Sequence, residues 1–125
     1  MIVADASVVL NVISGEPGGF RSLLLSPPVA APDILDVEVM SGLRRLERRR
    51  QVTPERAQRA LADLDVMPVV RHPSRVLVGS AWELRDNLTA YGALYVVLAR
   101  RLSATLVTAD RRMAKAARAM GVAVA

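Results

Sequence analysis

The sequence has no cysteine, one histidine, one lysine and almost no aromatic residues. Without cysteine there are no disulfides and no thiolate metal site. The single histidine, His72, stands directly before Pro73. Zinc sites and Ser-His-Asp triads need histidine, and one copy at a strand exit is a poor candidate, so His72 reads as structural. Any catalysis must then rest mainly on carboxylates. Aromatic residues make up 3%, too few for the multi-ring platforms on which single-strand-binding sheets stack bases. No apolar run approaches the length of about 18 residues that spans a membrane. The N-terminus lacks the basic start and cleavage site of a signal peptide, so a cytoplasmic location is expected.

What is present is apolar and basic. Hydrophobic residues make up 52% of 125 positions. That is enough for a real core, and the length fits one domain over residues 1–125. The net charge is +5 and the pI about 10.9. All but one of the basic residues are arginine, whose planar fork pairs phosphates. A genome bias would explain the preference for arginine over lysine, but not the net excess. The excess points to a polyanionic partner.

Apolar stretches at strand spacing alternate with helical ones from end to end. Strands are expected at residues 2–5, 29–31, 67–71, 104–109 and 122–124. Helices are expected at 6–14, 20–25, 33–50, 54–65, 73–87, 90–102 and 111–120. This alternation predicts an α/β fold with a parallel sheet. Thr53-Pro54 is a helix start, with a capping threonine and proline at the first helical position. Asp33 reads as the cap of the long helix after the second strand.

Asp5 ends the first strand and Asp110 ends the fourth in the same way. Each reads either as a helix N-cap, satisfying free N–H groups of the first turn, or as a ligand at the C-terminal end of a parallel strand. Glu38 shares its helical stripe with Ile34, Leu35, Ser41 and Gly42, and further along with Arg45 and Arg49. Its neighbours are apolar or small, so this is not an ordinary solvated face. Glu38 either pairs with Arg45 or joins Asp5 and Asp110 at one crevice. Three carboxylates there would repel one another unless they held a divalent cation. Oxygen ligands without histidine or cysteine suit Mg²⁺ or Mn²⁺. Such a site in a basic protein suits phosphodiester hydrolysis. A phospho-receiver domain also carries acids at strand ends. It is rejected because strand one ends in a lone Asp, and the sole lysine, Lys115, lies on the last helix.

Gly92 is out of place. Thr89 reads as an N-cap, and the third residue after a capping threonine is where an acid closes the capping box. Glycine gives no reciprocal bond there and costs about 0.5–1 kcal/mol against alanine. Either something approaches the backbone closely at Gly92 or a side chain is missing.

The segments Asp5-Ala6-Ser7, Leu35-Asp36-Val37-Glu38-Val39, Asn87-Leu88-Thr89-Ala90-Tyr91 and Thr108-Ala109-Asp110 resemble the PIN domain. The resemblance is strongest to its VapC-type toxins of bacterial toxin–antitoxin pairs, and it spans essentially the whole chain. It implies a three-layer α/β/α fold with a five-stranded sheet in the order 3-2-1-4-5. It also implies a metal-dependent ribonuclease, a homodimer and a cognate antitoxin that covers the acidic site. Asp5, Glu38 and Asp110 match the family's acids. Ser7 and Thr108 match its hydroxyl residues beside them and are candidate RNA contacts. Where the family continues Thr-Ala-Tyr with Asp, a metal ligand, this chain has Gly92. The departure implies a weakened or disabled nuclease; the alternative is an inactive, dimerising module that binds antitoxin.

The arginines divide into two groups. Arg45 and Arg49 belong to a cluster at a helix end, which either complements the helix dipole or contacts RNA. Arg111 and Arg112 follow Asp110 and are candidate phosphate contacts.

Overall fold

The computed structural model describes residues 1–15 and 27–125. The helix expected at residues 20–25 lies outside them. The strands are β1 (Ile2–Ala4), β2 (Val29–Pro32), β3 (Val69–His72) and β4 (Thr105–Val107). They form one parallel sheet in the order β3-β2-β1-β4. Among the described residues the helices are α1 (Ala6–Ile13), α2 (Leu35–Arg48), α3 (Pro54–Val66), α4 (Val78–Trp82), α5 (Ala90–Leu102) and α6 (Arg111–Ala119). None of them is long and apolar enough to cross a membrane.

Parallel strands need crossovers, and right-handed crossovers decide which face each helix covers. The chain steps from β1 to β2 to β3 in one direction, then returns past β1 to β4. Helices α1, α2 and α3 accordingly pack on one another, while α5 lies across β1, β2 and β4. With a helical layer on each face, β1 and β2 are apolar along their length, while the edge strand β3 carries Arg71 and His72. Val3, Ala4, Ala31, Leu106 and Val107 are fully enclosed. β1 is therefore the buried centre, with Ala4 beside Val107. That register brings the residues after both strands, Asp5 and Thr108, to the same end of the sheet.

Several expectations shift. The fifth strand shrinks to a single bridge between Leu106 and Val124. It occupies the expected edge beside β4, so the order 3-2-1-4-5 holds with a minimal last member. The helix expected at 73–87 shortens to a 3-10 turn (Ser74–Val76) and α4. Val78 and Gly79 lie inside α4, and residues 83–87 continue it as turns. Asp33 does not cap α2, which starts two residues later without a side-chain cap. Its carboxylate accepts from the N–H and hydroxyl of Ser74 instead, tying the two loops together.

The caps at Thr53 and Thr89 form as expected, accepting from Arg56 N and Gly92 N. At Gly42, α1 and α2 approach so closely that a Cβ would stand 2.5 Å from Leu10 Cδ2. This close approach draws α2, with Glu38, against the helix that Asp5 precedes.

Candidate active site

Asp5 leaves β1 at the point where the strand order reverses. In open parallel sheets that is where ligands bind. Its N–H still continues the ladder, donating to Val107 O at 3.0 Å. The residue is only 6% exposed, and its side chain makes no cap bond to α1. Instead Oδ2 accepts from the Ser7 hydroxyl and from the Thr108 hydroxyl, each at 2.8 Å. A buried carboxylate needs such donors. Held from both sides, Asp5 has one fixed orientation.

Glu38 reaches the same cleft from the first turn of α2. Its Oε1 accepts from the phenol of Tyr95 on α5 at 2.7 Å. Burial raises the Glu38 pKa above its ordinary value, the Tyr95 hydrogen bond opposes the rise, and the neighbouring Asp5 charge adds to it. Tyr95 is itself wholly enclosed. Burial first, and then Glu38, push its pKa far up, so it stays a neutral donor. Glu38 makes no ion pair with Arg45, although both line the cleft.

That cleft has a volume of about 460 Å³, within the range of small-molecule sites. Asp5, Ser7 and Glu38 lie in it with Leu10 and Ser41. Val37, Arg45 and Tyr91 also line it.

Asp110 takes a different posture. Its Oδ1 accepts from the N–H groups of Arg112 and Met113, so it is the N-cap of α6. Its own N–H donates to Thr108 Oγ1 at 3.0 Å. Thr108 therefore links the two acids: it accepts from Asp110 and donates to Asp5. Asp5 and Glu38 come together in one cleft, whereas the Asp110 carboxylate turns to the helix terminus. Among the described residues, no three His, Cys, Asp or Glu side chains are gathered closely enough to hold a metal ion.

Gly92 is buried in the first turn of α5. A Cβ there would lie 3.3 Å from Met113 Cε and 3.4 Å from Thr89 Oγ1. Position 92 thus faces the α6 terminus that Asp110 caps. The nearest obstacle is the end of a flexible methionine, so a side chain can be admitted.

Of the candidate arginines, Arg45 lines the cleft, and Arg112 donates to Asn87 O at 3.0 Å. Arg49 and Arg111 are exposed and make no ion pair among the described residues. Ser7 and Thr108 spend their hydroxyl protons on Asp5. In the sequence Tyr91 stood out only as the last residue of the PIN-like segment 87–91, and Tyr95 not at all. The one available signal was their spacing of four on a helix, in a chain almost without aromatic residues.

The residues present offer only carboxylate and hydroxyl oxygens. That donor set fits a hard divalent cation. Two carboxylates do not enclose one, but Mg²⁺ commonly sits on one or two carboxylates, keeps several waters and takes further oxygens from substrate phosphates.

Comparison with known proteins gives the family and the fold. Residues 2–119 match the family model described as PIN domain. VapC ribonuclease Mb0985 of Mycobacterium bovis is 41% identical over 113 residues, covering 90% of this chain and 88% of that protein. Ribonuclease VapC3 of Mycobacterium tuberculosis is 36% identical over 118 residues, covering 92% and 86%. Among solved structures, VapBC2 from Rickettsia felis, bound to a promoter DNA fragment, superposes with a TM-score of 0.67. It is 18% identical and covers all of this chain and 98% of that one. FitAcB from Neisseria gonorrhoeae also gives 0.67, at 17% identity over 99% and 96% of the two chains. At these identities the structures speak to the fold, and the closer sequence relatives to the family. Buried Asp5 at the strand reversal and Glu38 beside it thus stand in a chain that belongs to the PIN-domain family, with the VapC ribonucleases as its relatives.

Proposed function

We propose that this chain, a single PIN-like domain over residues 1–125, is the toxin of a VapBC-type pair. It hydrolyses RNA phosphodiester bonds in the cytoplasm with Mg²⁺ or Mn²⁺. PIN-domain ribonucleases are in general dependent on a divalent metal. The observation that carries the reading is the pairing of Asp5 and Glu38 in one cleft at the reversal of strand order.

In this reading Asp5 and Glu38 hold the cation; Asp110 caps α6 through Oδ1, and only its other oxygen is left to join them. When bound, the cation supplies an activated water and stabilises the leaving oxygen. Ser7 and Thr108 orient Asp5. Tyr95 orients Glu38 and holds one of its oxygens by a neutral donor. Arg45 in the cleft, with Arg49, Arg111 and Arg112 outside its lining, neutralises the phosphate backbone. The VapBC2 neighbour supports a cognate antitoxin as partner; a homodimer is implied by the family resemblance alone.

In this reading Gly92, where the family resemblance implies an acid, leaves the site one carboxylate short, at a position that borders Met113 of α6. It also favours a second reading: an inactive PIN domain that acts by pairing with itself and with antitoxin.

The test is cleavage of mixed RNA in Mn²⁺ by this chain and by Asp5→Asn. Cleavage by the first that chelator abolishes, and none by the second, supports the nuclease. Equal cleavage by both contradicts the assignment of Asp5. No cleavage by this chain or by Gly92→Asp favours the second reading.

A further inference from the structure

We propose that Tyr91 is a stacking platform for one nucleobase of single-stranded RNA, beside the phosphate that Asp5 and Glu38 address. The proposal rests on the ribonuclease reading and extends it to how the strand is seated.

Tyr91 and Tyr95 lie one turn apart on α5, so they share a stripe of that helix. One is sealed beneath Glu38; the other is 60% exposed. Single exposed aromatic residues are common on protein surfaces, but the position of this one is specific. Tyr91 lines the cleft that holds Asp5 and Glu38. Val37, also exposed, lines it from α2. Arg45 supplies the cleft's positive charge. An aromatic ring and an aliphatic side chain flanking two acids and one guanidinium match the parts of a nucleotide. The base needs an apolar face, the phosphate needs a cation, and neither needs a base-specific contact. The low aromatic content excludes a platform of several rings, not a single ring at a cleft.

The other exposed aromatic residue among those described, Trp82, supplies the contrast. Arg85 covers its ring at 4.7 Å. It borders a separate groove with Val78, Leu88 and Leu94.

The test measures the dissociation constant of a fluorescent pool of single-stranded RNA heptamers over a range of salt. It is run in Ca²⁺ and in EDTA, with the full chain and its variants. Tyr91→Phe should bind within about twofold of the parent. Tyr91→Ala should bind about five- to hundred-fold more weakly, with an unchanged slope of log affinity against log salt, because stacking releases no counterions. Arg45→Ala should weaken binding and lower that slope by about one. Trp82→Ala should change nothing. Tyr91→Leu, which keeps bulk without the ring, replaces the alanine variant if that variant fails to fold. If Tyr91→Ala binds RNA like the parent while Arg45→Ala does not, the stacking role is wrong and the ribonuclease reading survives. If the parent binds no RNA in either condition, the ribonuclease reading falls and takes this proposal with it.

Discussion

The phenol of Tyr95 donates to Glu38 Oε1 at 2.7 Å, joining residues 57 positions apart. One partner is wholly buried and the other half-buried, so water cannot replace the bond at little cost. Glu38 is thereby fixed with one oxygen held and the other free of hydrogen bonds among the described residues.

Tyr95→Phe keeps the ring and removes the donor. Loss of an orienting partner commonly costs 10–100-fold in metal affinity, so Mn²⁺ binding should weaken by about tenfold. Stability should fall by about 1–2 kcal/mol. Calorimetric titration with Mn²⁺ and a urea melt check the two effects. Unchanged Mn²⁺ affinity would show that Glu38 does not depend on this bond.

Thr108→Val is close to isosteric, yet it removes a donor to Asp5 and an acceptor for Asp110 N–H. Both bonds lie at a residue that is 7% exposed. The expected loss is about 2–3 kcal/mol, read from the shift in urea midpoint. Ser7→Ala removes one bond at a partly exposed residue and should cost about 1 kcal/mol. If Ser7→Ala destabilises more than Thr108→Val, the account of Asp5 support is wrong.

Glu38→Gln should make the fold more stable and the site worse. Burial and the Asp5 charge hold the Glu38 pKa above its ordinary value, so the folded chain binds that proton more tightly than the unfolded one. The penalty for ionised Glu38 is full above its folded pKa and is relieved as pH falls through it. At neutral pH the glutamine variant should gain about 0.5–1 kcal/mol, as often follows when an active-site charge is removed, and should lose RNA cleavage. A parallel thermal melt and cleavage assay decide it; a lowered Tm contradicts the sign.

The ion pair between Asp36 and Arg71 has the opposite sign. Arg71 donates to both carboxylate oxygens at 2.8 Å, and this hydrogen bonding holds the Asp36 pKa below its ordinary value. Its contribution is complete above the unfolded value and disappears as pH falls through the lowered one. The pair is partly exposed, so its worth is about 1 kcal/mol at most. Asp36→Asn should lose that amount at pH 7 and progressively less as the carboxylate of the parent protonates in acid, seen as urea midpoints that draw together.

Asp5 and Asp110 were legible because an acid between an apolar strand and a helix is a local pattern. The capping of α5 by Thr89, and the oddity of Gly92, were legible for the same reason. Tyr95 was not, because an aromatic residue in an apolar helix reads as core until its hydroxyl finds Glu38 across the sheet. The bonds of Asp33 to Ser74 and of Asp36 to Arg71 span 41 and 35 residues, beyond any periodicity. The posture of Asp110 shows the other limit. Sequence offered cap and ligand as alternatives. In the structure the free N–H groups of α6 take one carboxylate oxygen, and the other has no hydrogen bond among the described residues.

The most direct test of the account is metal-dependent RNA cleavage by this chain and by Gly92→Asp, side by side in Mn²⁺, with and without chelator. Position 92 faces the terminus that Asp110 caps, and only flexible Met113 and Thr89 Oγ1 border it. Gly92→Asp should cleave at least about tenfold faster than the parent, and chelator should stop it. Cleavage no faster than the parent, from a folded variant with unchanged Mn²⁺ affinity, would contradict the claim that this PIN-domain site lacks a carboxylate at position 92.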